Sequence, residues 1–169
     1  MVCPVNEKQM TLGKDYAGTR VDGWFCTEKF DGVRGFWDGA QLWTRGGKTI
    51  PAPAWFTAQL PAGQRLDGEI WFGYGQFERA RVACQFGKGW TADARFLAFD
   101  APDACGDYAA RCATIPATLR IPLERVNTAD LPAKLAAVKA RGGEGLMVRN
   151  PAITRYEAGR TFNLLKVKH

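Results

Sequence analysis

Glu28-Lys29-Phe30-Asp31-Gly32-Val33-Arg34 places a lysine, an Asp-Gly pair and an arginine between two apolar stretches, Val21–Cys26 and Val33–Trp37. Both flanks read as strands, so Lys29 leaves a strand beside a tight turn. A lysine in that position can be held rigidly in a pocket. With partial desolvation and neighbouring cations, its ammonium can shed a proton and act as a nucleophile. The same stretch also fits a surface hairpin carrying a solvated lysine, because Asp-Gly is a favoured two-residue hairpin loop.

Outward from this stretch, Asp38-Gly39 joins Val33–Trp37 to Gln41–Thr44 as a second hairpin. Residues 53–60 read as a short helix with proline near its first turn, and Gln64–Phe72 as a strand. Gln76–Gln85 is predicted helical, with Phe77, Ala80 and Cys84 on one side, and Arg95–Phe99 is a buried strand. Residues 101–115 form a loop or frayed helix, and Leu119–Leu123 and Arg125-Val126 are short extended pieces. Asn127–Arg141 is the clearest helix. Asn127 or Thr128 can cap it, Leu131, Leu135 and Val138 form its apolar stripe, and Gly142 stops it. Gly145–Arg149 and Leu164–Lys168 are strands, and residues 1–20 a polar, aperiodic entry arm. Strands interspersed with short helices predict an α+β fold with largely antiparallel sheets.

The 169 residues fit one domain, 1–169, with a sizeable core. No apolar run is long enough to span a membrane. The first residues lack the features of a signal peptide, which favours the cytoplasm and leaves open an export signal already removed. A formal charge of +6 suits a polyanion partner once the dispersed cations converge. Five cysteines without a Cys-x-x-Cys pair, and one histidine, at the end of the chain, disfavour a zinc site. The odd cysteine count favours reduced thiols, although Cys105 and Cys112 could bridge a loop.

Several other stretches can meet Lys29. Thr44-Arg45-Gly46-Gly47 offers an arginine where glycines let the backbone approach a phosphate, or a solvated turn. Glu69 interrupts the apolar strand Leu66–Phe72, either on its polar face or buried against a ribose hydroxyl. Phe99 ends an apolar strand and is core or a stacking surface. Glu144 sits among glycines at a strand entrance, as a turn residue or a ligand to Mg²⁺. Alternation in Leu165-Lys166-Val167-Lys168 puts both lysines on one strand face, which is costly unless they are solvated or facing an anion.

In this order the stretches from Trp24 to Lys168 resemble the covalent nucleotidyltransferase superfamily, most closely the adenylation domain of minimal bacterial and phage-type ATP-dependent DNA ligases. The resemblance implies an ATP-grasp-like nucleotidyltransferase domain with two largely antiparallel sheets flanked by helices. It implies that Lys29 attacks ATP to form lysyl-AMP, then passes AMP to the 5′-phosphate of a nick in double-stranded DNA, where the 3′-hydroxyl seals the strand. By the same resemblance Thr27 meets the adenine amino group and Glu28 belongs to the nucleotide-binding set. Arg34 and Arg45 hold ribose and phosphate oxygens, and Glu69 takes a ribose hydroxyl. Phe99 and Met147 sandwich the adenine, Glu144 with Asp31 binds Mg²⁺, and Lys166 and Lys168 neutralise the α-phosphate. Arg45 and Arg160 contact the nick phosphate. Ligases of this kind continue into an oligonucleotide-binding (OB) fold, which the 169 residues leave no room for. A domain acting without that barrel is expected to adenylylate itself poorly, with the barrel supplied separately or absent, and to be a monomer. An RNA ligase, a capping-type nucleotidyltransferase and a non-catalytic nucleotide- or nucleic-acid-binding module share parts of this pattern.

Lys29→Arg is expected to abolish AMP transfer to the protein, because a guanidinium stays protonated near neutral pH. Intact mass after incubation with ATP and Mg²⁺ checks this, and an adenylylated Lys29→Arg protein would remove Lys29 from the chemistry.

Overall fold

A computed structural model describes residues 9–169. Cys3 and the start of the expected entry arm lie outside the described residues. β1 (Thr11–Asp15), β2 (Trp24–Lys29), β7 (Glu124–Val126), β8 (Gly145–Arg149) and β9 (Gly159–Val167) make a five-stranded sheet in the order β1-β9-β8-β2-β7. A four-stranded sheet takes the order β4-β3-β5-β6, from β3 (Val33–Trp37), β4 (Leu42–Thr44), β5 (Leu66–Trp71) and β6 (Arg95–Asp100). Pairing is antiparallel except between β1 and β9. Among the described residues there is no closed barrel, and the two-sheet α+β arrangement is the one expected.

Alternation along each strand sorts the side chains into two chemistries. In the five-stranded sheet, Cys26, Leu146, Val148, Leu165 and Val167 pack with Leu131, Leu135 and Val138 of α4 (Leu131–Ala140). Their strand neighbours Thr27, Lys29, Met147, Arg149 and Lys166 line a cleft. In the four-stranded sheet, Leu66, Ile70, Phe96 and Ala98 share a core with α1 (Ala54–Thr57), α2 (Phe77–Phe86) and α3 (Tyr108–Ala113), through Phe56, Ala80, Cys84 and Cys112. The alternate residues Arg34, Asp67, Glu69, Leu97 and Phe99 line the same cleft. Helices therefore cover the outer faces, and the two inner faces look at each other.

The two Asp-Gly pairs behave differently. Asp38-Gly39 forms the expected hairpin, with Trp37 opposite Leu42 and Gly39 at a φ of 102° that favours glycine. Asp38 closes it by accepting the amides of Ala40 and Gln41. Asp31-Gly32 is not a hairpin, because β2 and β3 belong to different sheets. Gly32 is where the chain crosses between them, and a Cβ there would lie 2.2 Å from the Ile70 carbonyl oxygen.

Other expectations shift at the edges. β1 lies inside the polar arm, and β9 begins at Gly159 rather than Leu164. Both depend on pairing with each other at a sheet edge, where one face can stay polar, so apolar alternation does not announce them. Residues 108–113 form a true helix because Asp107 caps it, accepting the Ala110 amide at 2.9 Å. The short extended piece expected at Leu119–Leu123 pairs through one bridge, between Arg120 and Ala98. The helix after Asn127 opens with a 3₁₀ turn inside an Asn127–Asp130 capping box. Cys105 and Cys112 are both free, with Cys112 buried. No helix among the described residues is long and apolar enough to cross a membrane.

Leu66→Ala, which empties a fully buried position under the four-stranded sheet, is expected to cost ~2–5 kcal/mol. Urea unfolding measures this, and an unchanged midpoint would place Leu66 outside the core.

Candidate active site

The inner faces enclose a cleft of about 320 Å³, within the roughly 300–1,000 Å³ of small-ligand pockets. Its cationic end is built by strand register. Lys29 lies opposite Gly145 in the β2–β8 pairing, and Leu146 lies opposite Val167 in the β8–β9 pairing, so Glu144 falls between Lys29 and Lys168. Lys29 Nζ donates to both Glu144 oxygens, at 3.0 and 2.9 Å, and Lys168 Nζ lies 3.0 Å from Oε1. Burial alone would raise the Glu144 carboxyl, but the bonds from Lys29 and Lys168 hold it below its ordinary value. Lys166 Nζ sits 3.5 Å from Asp15.

The middle of the cleft is apolar on both sides, with Met147 and Leu164 from one sheet and Leu97 and Phe99 from the other. A planar ring fits such a slot. On its floor Thr27 is buried and accepts a 3.0 Å hydrogen bond from Arg149. Arg149 is itself buried, its guanidinium 4.1 Å from the Tyr108 ring centre and 5.7 Å from that of Phe99.

On the facing wall Arg34 and Glu69 are cross-strand partners. Glu69 accepts the Gly32 amide at 3.2 Å, and burial pushes its carboxyl from 4.5 up to about 8 despite nearby Lys29 and Arg34. Arg34 grips Asp67 with two hydrogen bonds of 3.0 and 2.6 Å. Burial pulls the Arg34 guanidinium down, but Asp67 outweighs it and holds the charge firmly in place. Arg45 is exposed at the rim, and Arg160 reaches the cleft while donating to the Gly13 carbonyl at 2.7 Å.

Thr27, Glu28, Lys29, Arg34, Arg45, Glu69, Phe99, Met147, Arg160, Lys166 and Lys168 all line the cleft. Glu144 joins through its lysine partners. Asp31 is not among the lining residues. The Glu28 carboxylate is taken up by Tyr74 and Arg141. Among the described residues no group of three or more His, Cys, Asp or Glu side chains could hold a metal ion. Glu144 is one carboxylate at a cationic end, a donor set that fits Mg²⁺ carried mainly by phosphates and water. Sequence reasoning missed Asp67, Arg149 and Tyr156. The first two have a signal, since each shares strand parity with a recognised residue, Glu69 or Met147. Tyr156 lies in an aperiodic loop that gives none.

No family model matches the chain. The chain is 36% identical over 168 residues to a DNA ligase of Haemophilus influenzae, covering 90% of this chain and 60% of that protein. It therefore spans about 60% of the length of this curated relative. A solved Lig E DNA ligase superposes with a TM-score of 0.82 at 34% identity, over 95% of this chain and 68% of that one. A Chlorella virus DNA ligase–adenylate superposes with a TM-score of 0.76 at 26% identity, over 96% and 67%.

Glu69 gives the site a pH signature. Its folded carboxyl titrates at about 8 and its unfolded one near 4.5, so the folded chain holds the extra proton between those values. The stabilisation is complete below the lower value and is lost as pH rises through the upper one. Glu69→Gln is therefore expected to gain stability relative to the parent between pH 5 and pH 8, read by urea unfolding at both. Parallel curves for the two proteins would assign the ordinary carboxylate value to Glu69.

Proposed function

Because the chain belongs to the DNA ligase family, we propose that it is the nucleotidyltransferase domain in which Lys29 carries AMP from ATP to a DNA nick. The single observation that supports this best is the placement of Lys29 in one cleft with the paired Glu144–Lys168 end and an apolar slot lined by Phe99, Leu97, Met147 and Leu164. ATP would lie with its adenine between Phe99 and Met147, its amino group at Thr27 and a ribose hydroxyl at Glu69. Its α-phosphate would lie beside Lys166 and Lys168.

For attack the Lys29 amine must leave Glu144 and lose a proton. A bond then forms from Nζ to the α-phosphorus as the bond to the bridging oxygen breaks, and pyrophosphate departs with those electrons. Lys166 and Lys168 stand where charge grows on the α-phosphate oxygens. Mg²⁺ bound at Glu144 would supply further neutralisation of the phosphates. In the second step a 5′-phosphate oxygen of nicked duplex DNA displaces Lys29 from phosphorus. In the third, the 3′-hydroxyl displaces AMP and closes the strand. Arg45 and Arg160, at the rim, would hold the nick phosphate, since arginine forks suit phosphate oxygens. Arg34 positions the wall through Asp67. The domain, residues 1–169, acts in this reading as a cytoplasmic monomer, with an oligonucleotide-binding barrel as its partner.

Intact mass before and after ATP with Mg²⁺, then with pyrophosphate, tests the reading. The expected result is a gain of one AMP, reversed by pyrophosphate, absent with GTP and absent in Lys29→Ala. A protein that binds ATP and gains no mass would refute self-adenylylation by this chain, and a gain with GTP would favour capping-type transfer.

A further inference from the structure

Lys29 has two chain neighbours, and both are gripped by one short segment of the opposite sheet. Glu28, before it, lines the cleft, but its carboxylate is held by two residues that do not. Its Oε2 accepts the Tyr74 hydroxyl at 2.9 Å and its Oε1 accepts Arg141 Nε at 3.1 Å. Phe30, after it, packs edge-on against Trp71, ring centres 5.3 Å apart and planes at 70°. Trp71 in turn packs edge-on against Tyr74 at 5.0 Å. Trp71 ends β5 and Tyr74 lies in the turn that follows, so residues 71–74 of the four-stranded sheet hold the chain on each side of the lysine. The end of α4 closes behind them, where a Cβ at Gly142 would lie 3.2 Å from that of Tyr74.

The Glu28 side chain is 10% exposed, but its partners are open, the Arg141 side chain half exposed and Tyr74 36% exposed, so the polar contacts contribute modestly to overall stability. The Trp71 indole nitrogen is buried and has no hydrogen-bond partner, so Trp71 contributes its ring faces alone. What the contacts do fix is the last turn of backbone before the sheets part at Gly32. The lysine side chain is long and flexible, and its amine can address one phosphorus only if its Cα does not wander.

We propose that Trp71 and Tyr74 are positioning residues for the Lys29 amine, Trp71 through Phe30 and Tyr74 through Glu28, with Glu28 a held point rather than a contact to the nucleotide. The inference rests on Lys29 being the nucleophile. Misplacement of a reacting group by about 1 Å can cost up to ~100-fold in rate, so loosening one of two grips is expected to cost about tenfold.

The test is Tyr74→Phe, which keeps the ring on Trp71 and removes the hydroxyl from Glu28. Saturating rate and KM for ATP in lysyl-AMP formation are measured with amide hydrogen exchange at Lys29 and Phe30. The expected result is a roughly tenfold lower saturating rate with KM changed less than about twofold, and an unchanged unfolding midpoint. In a Glu28→Ala background the same change is expected to add nothing, because the two residues act as one unit. An unchanged rate, or a KM that rises while the saturating rate stays level, overturns the proposal. If the parent protein takes up no AMP, the functional reading fails on its own, and exchange decides the positioning. Faster exchange confined to Lys29 and Phe30 in Tyr74→Phe upholds it, and identical exchange overturns it.

Discussion

The carboxylate of Asp67 is the point on which the two sheets are hung. It is fully buried, and a buried unpaired charge costs several kcal/mol, so its partners are obligatory. Arg34 supplies two donors from β3, and the Tyr156 hydroxyl supplies a third from the loop between β8 and β9. Tyr156 also accepts the Thr11 amide of β1. One carboxylate thus joins the middle of the four-stranded sheet to the edge of the five-stranded one. The network thus ties the two walls of the cleft together through hydrogen bonds that share one carboxylate.

Around that hinge point the charges are arranged by sheet. The five-stranded sheet brings ammoniums to one end of the cleft, where Lys29 and Lys168 share the single carboxylate of Glu144. The four-stranded sheet brings Glu69 near Lys29, with burial pushing its carboxyl up to about 8. Between the ends Arg149 is buried beside the Tyr108 and Phe99 rings with Thr27 as its hydrogen-bond partner. The cleft thus keeps an apolar slot apart from a cationic end, two surroundings that suit opposite kinds of group.

The helices serve the site from behind. α4 packs on the outer face of the five-stranded sheet, and its last turn delivers Arg141 to Glu28. α3 carries Arg111, which grips Asp100 next to Phe99 with bonds of 2.9 and 3.2 Å. Helix packing and cleft chemistry are coupled by the period of two, since each strand residue that anchors a helix fixes the direction of its neighbours into the cleft.

What the sequence determined by itself was local. Alternation placed Lys166 and Lys168 on one face, and the order of stretches from Lys29 to Lys168 carried the family and the α+β class. Parity also put Arg149 beside Met147, and Asp67 beside Glu69, although neither was singled out. Tertiary structure alone decided that Asp31-Gly32 crosses between sheets, since an Asp-Gly pair is equally suited to a hairpin and only the partners of β2 and β3 settle which forms. It decided that Glu28 is held by Tyr74 and Arg141, 46 and 113 residues away. It decided that Tyr156 completes Asp67 across 89 residues. Strand period and turn chemistry act within a few residues and can be read along the chain. The contacts that set the cleft's width form only when two sheets close on a buried charge, and nothing in the local pattern encodes that distance.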